Sequence, residues 1–87
     1  MTDDHKAQAQ AMIDFLRAQV LQDPSEEIAA NTPLISSGLV DSFAVIEVLL
    51  RLEAVTSRRI PAAEVTPNDL DSVEQMLFTA ERIGKPR

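Results

Sequence analysis

The sequence contains no cysteine, no tryptophan and no tyrosine, and it has a single histidine among its 87 residues. Without cysteine the chain can form neither a disulfide nor a thiolate metal site, and it suits a reducing compartment. With aromatic residues at only 3% of the chain, it lacks the rings on which bases stack. One histidine leaves a transition-metal site almost nothing to build on, so we predict no metal site.

Basic residues and long apolar runs are also scarce. Acidic residues number 14 and basic residues 8, which gives a net charge of −6. An acidic chain repels the phosphate backbone and anionic lipid, so we exclude nucleic acid as a partner and disfavour docking on a membrane. No apolar run approaches the roughly 20 residues that span a bilayer, and the polar start "MTDDHKAQAQ" does not resemble a signal peptide. We therefore expect a cytoplasmic protein without membrane insertion.

The first third of the chain predicts one amphipathic helix followed by a long loop. Asp3 and Asp4 lie near the helix start, where acidic side chains suit the helix dipole, and Pro24 ends the helix. The apolar stripe has helical spacing: Ala9, Met12, Ile13, Phe15, Leu16 and Val20. From about Asp23 to Val40, the density of proline, asparagine, serine and glycine predicts an ordered connection without a long regular element.

A second helix is predicted from about Ser42 to Val55, and it is more apolar than a one-sided surface helix needs to be. Phe43, Ile46 and Leu50 line one face of it. Further apolar residues widen that face: Val45, Val48, Leu49 and Leu52. Such a helix is the central helix of the core, or it exposes an apolar patch to a partner, or both.

Two more helices complete the prediction, and no strand pattern is visible. Arg58 and Arg59 read as a charge pair at the end of the second helix. Pro61 opens a short helix that reaches about Val65 and is ended by Thr66 and Pro67. The last helix is capped by Asp71 or Ser72, ends at Gly84, and has these residues on its inner face: Val73, Met76, Leu77 and Ala80.

The predicted fold class is therefore all-α, a small four-helix bundle of three main helices, a short third helix and a long first loop. At this length we expect a single domain spanning residues 1–87. Its core covers about residues 8–83, with a polar tail at each end. We expect an independent protein.

The stretch "VDSF" at the start of the second helix has two interpretations. Asp41 and Ser42 are good N-cap residues, so the pair is an ordinary helix start. A helix N-terminus also favours a phosphate, which a serine hydroxyl at that place can carry. Catalysis by a serine nucleophile is disfavoured, because the only histidine, His5, lies in the predicted polar tail and no G-x-S-x-G elbow surrounds Ser42.

Three longer stretches resemble one protein family. "SGLVDSFAVIEVLLRLE" resembles the phosphopantetheine attachment motif of acyl and peptidyl carrier proteins, whose core is Gly, apolar, Asp, Ser, apolar. "TPLISSGLVDS" is similar to the family's loop, with a buried leucine, Leu34, ahead of the glycine. "RRIPAAEVTPNDLDSVEQML" is similar to its third-helix region. Helix order and size agree across about Gln8 to Ile83, and the resemblance is to stand-alone carriers.

The resemblance implies a cofactor and a role for each motif residue. Ser42 would receive 4′-phosphopantetheine from coenzyme A through a phosphodiester, in a reaction catalysed by a separate phosphopantetheinyl transferase that uses Mg²⁺. Asp41 would help to hold the metal ion of that transferase and to dock the transferase itself. Gly38 and Leu39 would shape the turn, and Phe43 would anchor the helix start. The chain would then be a covalent shuttle with no catalytic residue, not an enzyme.

The resemblance also implies partners and a class of cargo. Asp41, Phe43, Glu47 and Glu53 would dock the transferase, a loading enzyme that supplies an acyl or aminoacyl group, and the synthase or transferase enzymes that consume the thioester. A monomer is expected. With Val40 inserted before the aspartate, "GLVDSF" is closer to carriers of amino acids or aryl acids and to D-alanyl carriers than to the fatty-acid type. This favours a pathway like those of nonribosomal peptides and polyketides, or a D-alanyl pathway, with a fatty-acid-like pathway left open.

One alternative of a different class remains. The chain could be a small helical interaction module that holds a partner on the second helix, with Ser42 only an N-cap.

Overall fold

The computed structural model describes residues 2–22 and 27–86, and within these the side chains of Thr2, Asp3, Asp4 and Ser42 lie outside the description. Within these ranges, three α-helices form the fold: α1, Thr2–Phe15; α2, Val45–Thr56; and α3, Val73–Ile83. Each of them packs against the other two. The predicted all-α class is confirmed. None of the helices in the described ranges combines the length and the hydropathy that crossing a membrane requires.

The first helix begins close to where the sequence predicted it. α1 begins at Thr2, beside Asp3 and Asp4, so the polar residues expected ahead of residue 8 are helical, and His5 occupies an exposed position on this helix. Regular helix geometry satisfies the backbone locally, so polar side chains can continue the helix beyond the part that contacts the core.

The end of the first helix lies before the proline that was predicted to stop it. The α-helix continues as one π turn, Leu16–Val20, in which the Leu21 N–H donates to the Leu16 carbonyl at 2.7 Å. Gln22 then adopts a left-handed φ of 54°, which ends the helix. Asp23 and Pro24 lie outside the described residues.

The core is formed by one face of each helix and by residues of the loops between them. Its members are less than a tenth exposed: Met12, Leu16, Leu34, Val40, Val48, Leu49, Leu52, Ile60, Leu70, Val73, Met76, Leu77 and Ala80. The inner faces predicted for the first and last helices are among them or pack against them. The leucine expected to be buried ahead of the glycine, Leu34, is 1% exposed.

The second helix has apolar residues on two faces, of which one is buried and the other is exposed. Val48, Leu49 and Leu52 are buried, and Leu50 and Ile46 are exposed. Both of the alternatives raised by its composition therefore apply, since α2 belongs to the core and also exposes an apolar patch.

A cation–π contact reinforces the packing of α1 on α2. The guanidinium carbon of Arg51 lies 4.7 Å from the centroid of the Phe15 ring, within the range of such contacts.

A short antiparallel pair of strands, which the sequence did not predict, joins the ends of α2 and α3. β1, Arg58–Arg59, pairs with β2, Lys85–Pro86. The Arg58 guanidinium donates to the Gly84 carbonyl at 3.3 Å, so it contacts the C-terminal end of α3. The favourable effect of Arg58 and Arg59 on the end of α2 stays a prediction. Two-residue strands have no room for apolar alternation, which is why no strand signal was present.

Two 3₁₀ turns connect β1 to α3, where one short helix was predicted. The first, Ala62–Glu64, follows Pro61 as expected. The second, Pro67–Leu70, begins where the prediction had the helix end. Thr66 caps it in a reciprocal capping box, since the Asp69 carboxylate accepts the Thr66 N–H at 2.9 Å. Proline is well tolerated at the first position of a helical turn, which explains the error.

The structure also decides between the two caps proposed for the last helix. The Ser72 hydroxyl accepts the Gln75 N–H at 3.1 Å and is the N-cap of α3. The Asp71 carboxylate instead accepts backbone N–H groups of Ile35 and Ser36.

Candidate functional site

The segment that leads to Ser42 is a hydrogen-bonded turn between two core residues. Leu34 and Val40 are 1% and 3% exposed, and the Val40 N–H donates to the Leu34 carbonyl at 2.9 Å. Between them, the Gly38 N–H donates to the Ile35 carbonyl at 3.1 Å. Val40, the residue inserted relative to the commoner form of the motif, is therefore a structural anchor that closes the turn.

Gly38 lies at a position where the backbone needs a left-handed conformation. Its φ is +85°, and a Cβ built there meets no heavy atom within 4 Å. The requirement for glycine at this position is therefore conformational and not steric. The prediction that Gly38 shapes the turn has this physical basis, and the neighbouring Leu39 is 38% exposed on the same turn.

Asp41 caps the beginning of the second helix. Its carboxylate accepts the Phe43 N–H at 3.1 Å, and its carbonyl accepts the Ala44 N–H at 2.9 Å. A 3₁₀ turn, Ser42–Ala44, then leads into α2. Of the two cap candidates in "VDSF", the aspartate makes a cap hydrogen bond; the Ser42 side chain lies outside the described residues.

The surroundings of position 42 suit an anionic attachment. The residues on either side of it, Asp41 and Phe43, are exposed. Position 42 is the first residue of the turn that leads into α2, at the positive end of the helix dipole, which favours a phosphate.

Other serines of the region use their hydroxyls in structural hydrogen bonds. The Ser36 hydroxyl donates to the Asp71 carboxylate at 2.8 Å, and that of Ser37 donates to the Pro33 carbonyl at 2.7 Å. The Ser72 hydroxyl is the buried cap of α3. Ser57 lies at the C-terminal end of α2, where the helix dipole opposes an anion.

The resemblance implied that Phe43 anchors the helix start, and the structure shows that it does not. It is 90% exposed, and it stands in line with Ile46 and Leu50, which are 70% and 60% exposed. Their spacing of three and four residues places them on one face of the helix. We call these three residues the apolar strip. The core contact at this end of the loop comes from Val40 instead.

The acidic residues predicted for docking differ in their surroundings. Asp41 and Glu47 are exposed at the strip. Glu53 is half-buried, and its carboxylate accepts the Ile60 N–H at 2.8 Å. Glu53 therefore connects α2 to the segment that follows β1, and whether it also docks partners stays a prediction.

Asp71 is the residue near the motif that sequence reasoning assigned differently. Its carboxylate accepts the backbone N–H groups of Leu34, Ile35 and Ser36 at 3.2, 2.7 and 2.8 Å. The Ser36 N–H contributes most to holding the pKa of Asp71 below its ordinary value, against the opposing effect of partial burial. "LDSV" suggested a helix cap, and no local pattern could reveal an acceptor for N–H groups 35–37 residues away.

No group of three or more histidine and acidic side chains in the described part of the chain is arranged to hold a metal ion. His5 lies on α1, in a different part of the fold from the motif.

One comparison with known proteins gives a match. Residues 15–77 match the sequence model of a family described as "Phosphopantetheine attachment site". The matched range contains the turn, Asp41, Ser42 and the apolar strip. No curated protein matches the chain significantly. Neither does any solved structure.

Proposed function

Since the chain belongs to the phosphopantetheine attachment site family, matching it over residues 15–77, we propose that Ser42 is the residue that receives its 4′-phosphopantetheine. The chain is a non-catalytic carrier protein and contains the site to which 4′-phosphopantetheine is covalently attached. The choice of Ser42 depends on one observation above all: it is the serine at the N-terminal end of α2, while the hydroxyls of Ser36, Ser37 and Ser72 are engaged in structural hydrogen bonds.

The residues around position 42 fit a phosphodiester. Exposed neighbours on both sides leave room for a large substituent, and the helix start favours its negative charge. Asp41 already caps the turn, so the fold does not depend on the Ser42 hydroxyl for that purpose. When attached, the group supplies a thiol at the end of a long arm, and the cargo is bound to that thiol as a thioester.

Attachment is a transfer from coenzyme A in which this chain supplies only the acceptor oxygen. A bond forms between the Ser42 oxygen and the phosphorus next to pantetheine. The bond from that phosphorus to the rest of the pyrophosphate breaks, adenosine 3′,5′-bisphosphate leaves, and the hydroxyl proton passes to a base of the transferase. Asp41 is exposed and adjacent to Ser42, and its carboxylate would help to hold the Mg²⁺ of that enzyme.

We propose that partners dock on the apolar strip of Phe43, Ile46 and Leu50 and on the acidic side chains beside it, Asp41 and Glu47. Exposed apolar residues in a line offer area to bury, and the carboxylates steer a basic partner face. A shuttle must leave each partner quickly, so binding should be weak. Raising the salt concentration should slow loading by a partner enzyme, and a loading rate indifferent to salt would contradict electrostatic steering.

An open groove extends this docking surface toward α1. It has a volume of about 420 Å³, and its lining includes both strip and acidic positions: Phe15, Gln19, Glu47, Leu50, Arg51 and Ala54. Arg51 is a cation beside Glu47 and packs on Phe15, so the face is not uniformly acidic. We propose that Glu53 contributes less than Glu47, because its carboxylate is already bonded to the Ile60 N–H.

The form of the motif supports a proposal for the class of cargo. We propose an acyl or aminoacyl thioester carried in a pathway like those of nonribosomal peptides or polyketides, or in D-alanyl transfer, with a fatty-acid-like pathway as the remaining option. We also propose that the chain acts as a cytoplasmic monomer. Intact mass of the protein isolated from its native host would identify the cargo. Light scattering during gel filtration would show whether the particle in solution has the 9.6 kDa mass of one chain or a multiple of it.

The assignment of Ser42 is tested by incubating the unmodified polypeptide with coenzyme A and a transferase of broad specificity. We expect a mass gain of one phosphopantetheine, mapped to position 42 by peptide mass spectrometry. Ser42→Ala should fold and gain nothing, and Ser57→Ala, the matched control, should be modified like the wild type. A folded wild-type sample with no mass gain at that position would require the assignment to be dropped.

The alternative of an interaction module is distinguished by the same variant. If Ser42 were only a cap, Ser42→Ala would lose about 0.5–2 kcal/mol of stability and keep its partner. The cap hydrogen bond made by Asp41 favours the carrier interpretation, in which Ser42→Ala keeps its stability and loses all loading.

A further inference from the structure

We propose that Asp71 is a positioning residue for the modification of Ser42, because its carboxylate fixes the segment on which the turn before Ser42 is built. This inference deepens the proposed function and rests on Ser42 being the attachment site. Asp71 lies two residues before α3 and is distant in sequence from the motif, so its role is in addition to those of Gly38, Leu39 and Asp41.

The contact is a cluster of hydrogen bonds from three successive residues. One carboxylate oxygen of Asp71 accepts the N–H groups of Leu34, Ile35 and Ser36 at 3.2, 2.7 and 2.8 Å. The other accepts the Ser36 hydroxyl at 2.8 Å. The Asp71 carbonyl also accepts the Leu34 N–H at 2.6 Å. Successive N–H groups that converge on one charged oxygen form a strong, directional anchor.

The base of this anchor is rigid. Asp71 lies between Leu70, which is fully buried, and Ser72, which is 8% exposed and caps α3. Val73, also fully buried, follows directly. Since core packing fixes the backbone on both sides of Asp71, its carboxylate holds the loop to the body of the domain.

The same loop residues that bind Asp71 also accept the hydrogen bonds of the turn. The Leu34 carbonyl accepts the Val40 N–H, and the Ile35 carbonyl accepts the Gly38 N–H. Asp71 therefore holds one side of residues 34 and 35, and the turn that leads to Ser42 is built on their other side. Only Asp41 separates Val40 from Ser42. A change in the orientation of residues 34–36 therefore reaches Ser42 through the turn that they hold.

Loss of the carboxylate should loosen this segment without unfolding the domain. Ser36 is exposed and Ile35 half-buried, so water can replace the carboxylate as acceptor. The core contact of Leu34 and its bond to the Asp71 carbonyl remain. A transferase that binds one arrangement of the turn would then find it in a fraction of the molecules, which raises KM by the inverse of that fraction and leaves kcat near the wild-type value.

The test compares Asp71→Ala with three other variants of the apo protein. Asp71→Asn keeps one oxygen acceptor in place and is the conservative rescue. Glu74→Gln removes one negative charge from an exposed position in the first turn of α3. Thr79→Ala removes a buried hydroxyl that donates to the Asp69 carbonyl at 3.0 Å, so it lowers stability away from the loop. Measurements are KM and kcat for transfer from coenzyme A, and amide hydrogen exchange at Ile35 and Ser36.

We expect Asp71→Ala to raise KM about tenfold, equivalent to about 1.4 kcal/mol, with kcat within about twofold of the wild type. Exchange at Ile35 and Ser36 should be faster by a similar factor. Asp71→Asn should show a smaller rise in KM. Glu74→Gln and Thr79→Ala should keep the wild-type KM at a temperature where all variants are folded.

Two results would overturn the positioning role. One is a wild-type KM in Asp71→Ala; the other is a rise in KM of equal size in Glu74→Gln or Thr79→Ala, which would assign the effect to charge or to stability. A wild-type protein that gains no mass at Ser42 overturns the proposed function itself, and the exchange rates then report separately whether Asp71 holds the loop.

Discussion

The exposed ring of Phe43 gives the sharpest test of the docking surface. Because this side chain is 90% exposed, Phe43→Ala removes little that stabilises the fold. Full burial of a phenylalanine is worth about 1.5–3 kcal/mol, so the buried tenth accounts for at most about 0.3 kcal/mol. In a domain of this size such a loss lowers Tm by about 1–2 °C.

The exposed fraction of Phe43 also gives the expected loss of binding free energy when the ring is removed. The exposed nine-tenths leave about 1.4–2.7 kcal/mol to be gained when a partner covers the ring. Phe43→Ala should therefore raise the Kd for a docking enzyme about 10- to 100-fold. Because Phe43 follows Ser42 directly, its removal can also change kcat, so we would measure Kd with the Ser42→Ala protein as the background.

Phe78 provides the matched control. It is the same residue type on α3, and at 59% exposed its truncation should cost about 0.6–1.2 kcal/mol of stability. Titration calorimetry with the transferase should show no change of Kd for Phe78→Ala. The apolar strip is not the docking surface if Phe43→Ala in the Ser42→Ala background binds as tightly as Ser42→Ala alone, or if Phe78→Ala weakens binding as much as Phe43→Ala does.

Three further predictions concern the turn and its anchors. Asp41→Ala should lose about 0.5–2 kcal/mol of stability because the Phe43 N–H loses its cap. Asp41→Asn should keep most of that stability and still slow the transfer of phosphopantetheine to Ser42. Urea unfolding measures the first effect, and initial rates of transfer measure the second. Gly38→Ala should lose about 1–2 kcal/mol, since φ is +85° with open space around the Cβ, and thermal unfolding that shows no loss would contradict this. The pKa of Asp71 is held below its ordinary value of 3.8, so its contribution to stability is present above pH 3.8 and is lost as the pH falls through the folded pKa. Unfolding by urea at about pH 6 and about pH 3 should therefore show a smaller drop in stability for Asp71→Asn than for the wild type.

Much of the fold could be predicted from short-range patterns. The stripe from Ala9 to Val20 and the inner face from Val73 to Ala80 follow from a period of 3.6 residues, and both helices are present. The turn at Gly38 and the helix start at Asp41 were also indicated locally. Errors occurred where two local rules competed, as at Pro67, which can end one helical turn and begin another.

The motif around Ser42 belongs to this local part of the prediction. Its residues are neighbours in sequence, and a family resemblance could be stated from them alone; the family match over residues 15–77 confirms it. Which residue within the family motif carries the group, and which surface meets the partners, remain proposals to be tested by the experiments above.

The sequence by itself determined the three main helices, the turn at Gly38 and the family, because periodicity, caps and breakers act between residues at most a few positions apart. Only the tertiary structure decided that Phe43 faces outward while Val40 enters the core. It also decided that Asp71 binds a loop 35–37 residues earlier in the chain. An α2 with apolar residues on both faces can pack either way, and an aspartate ahead of a helix can accept any N–H that the closed chain brings near; only long-range packing selects among these possibilities.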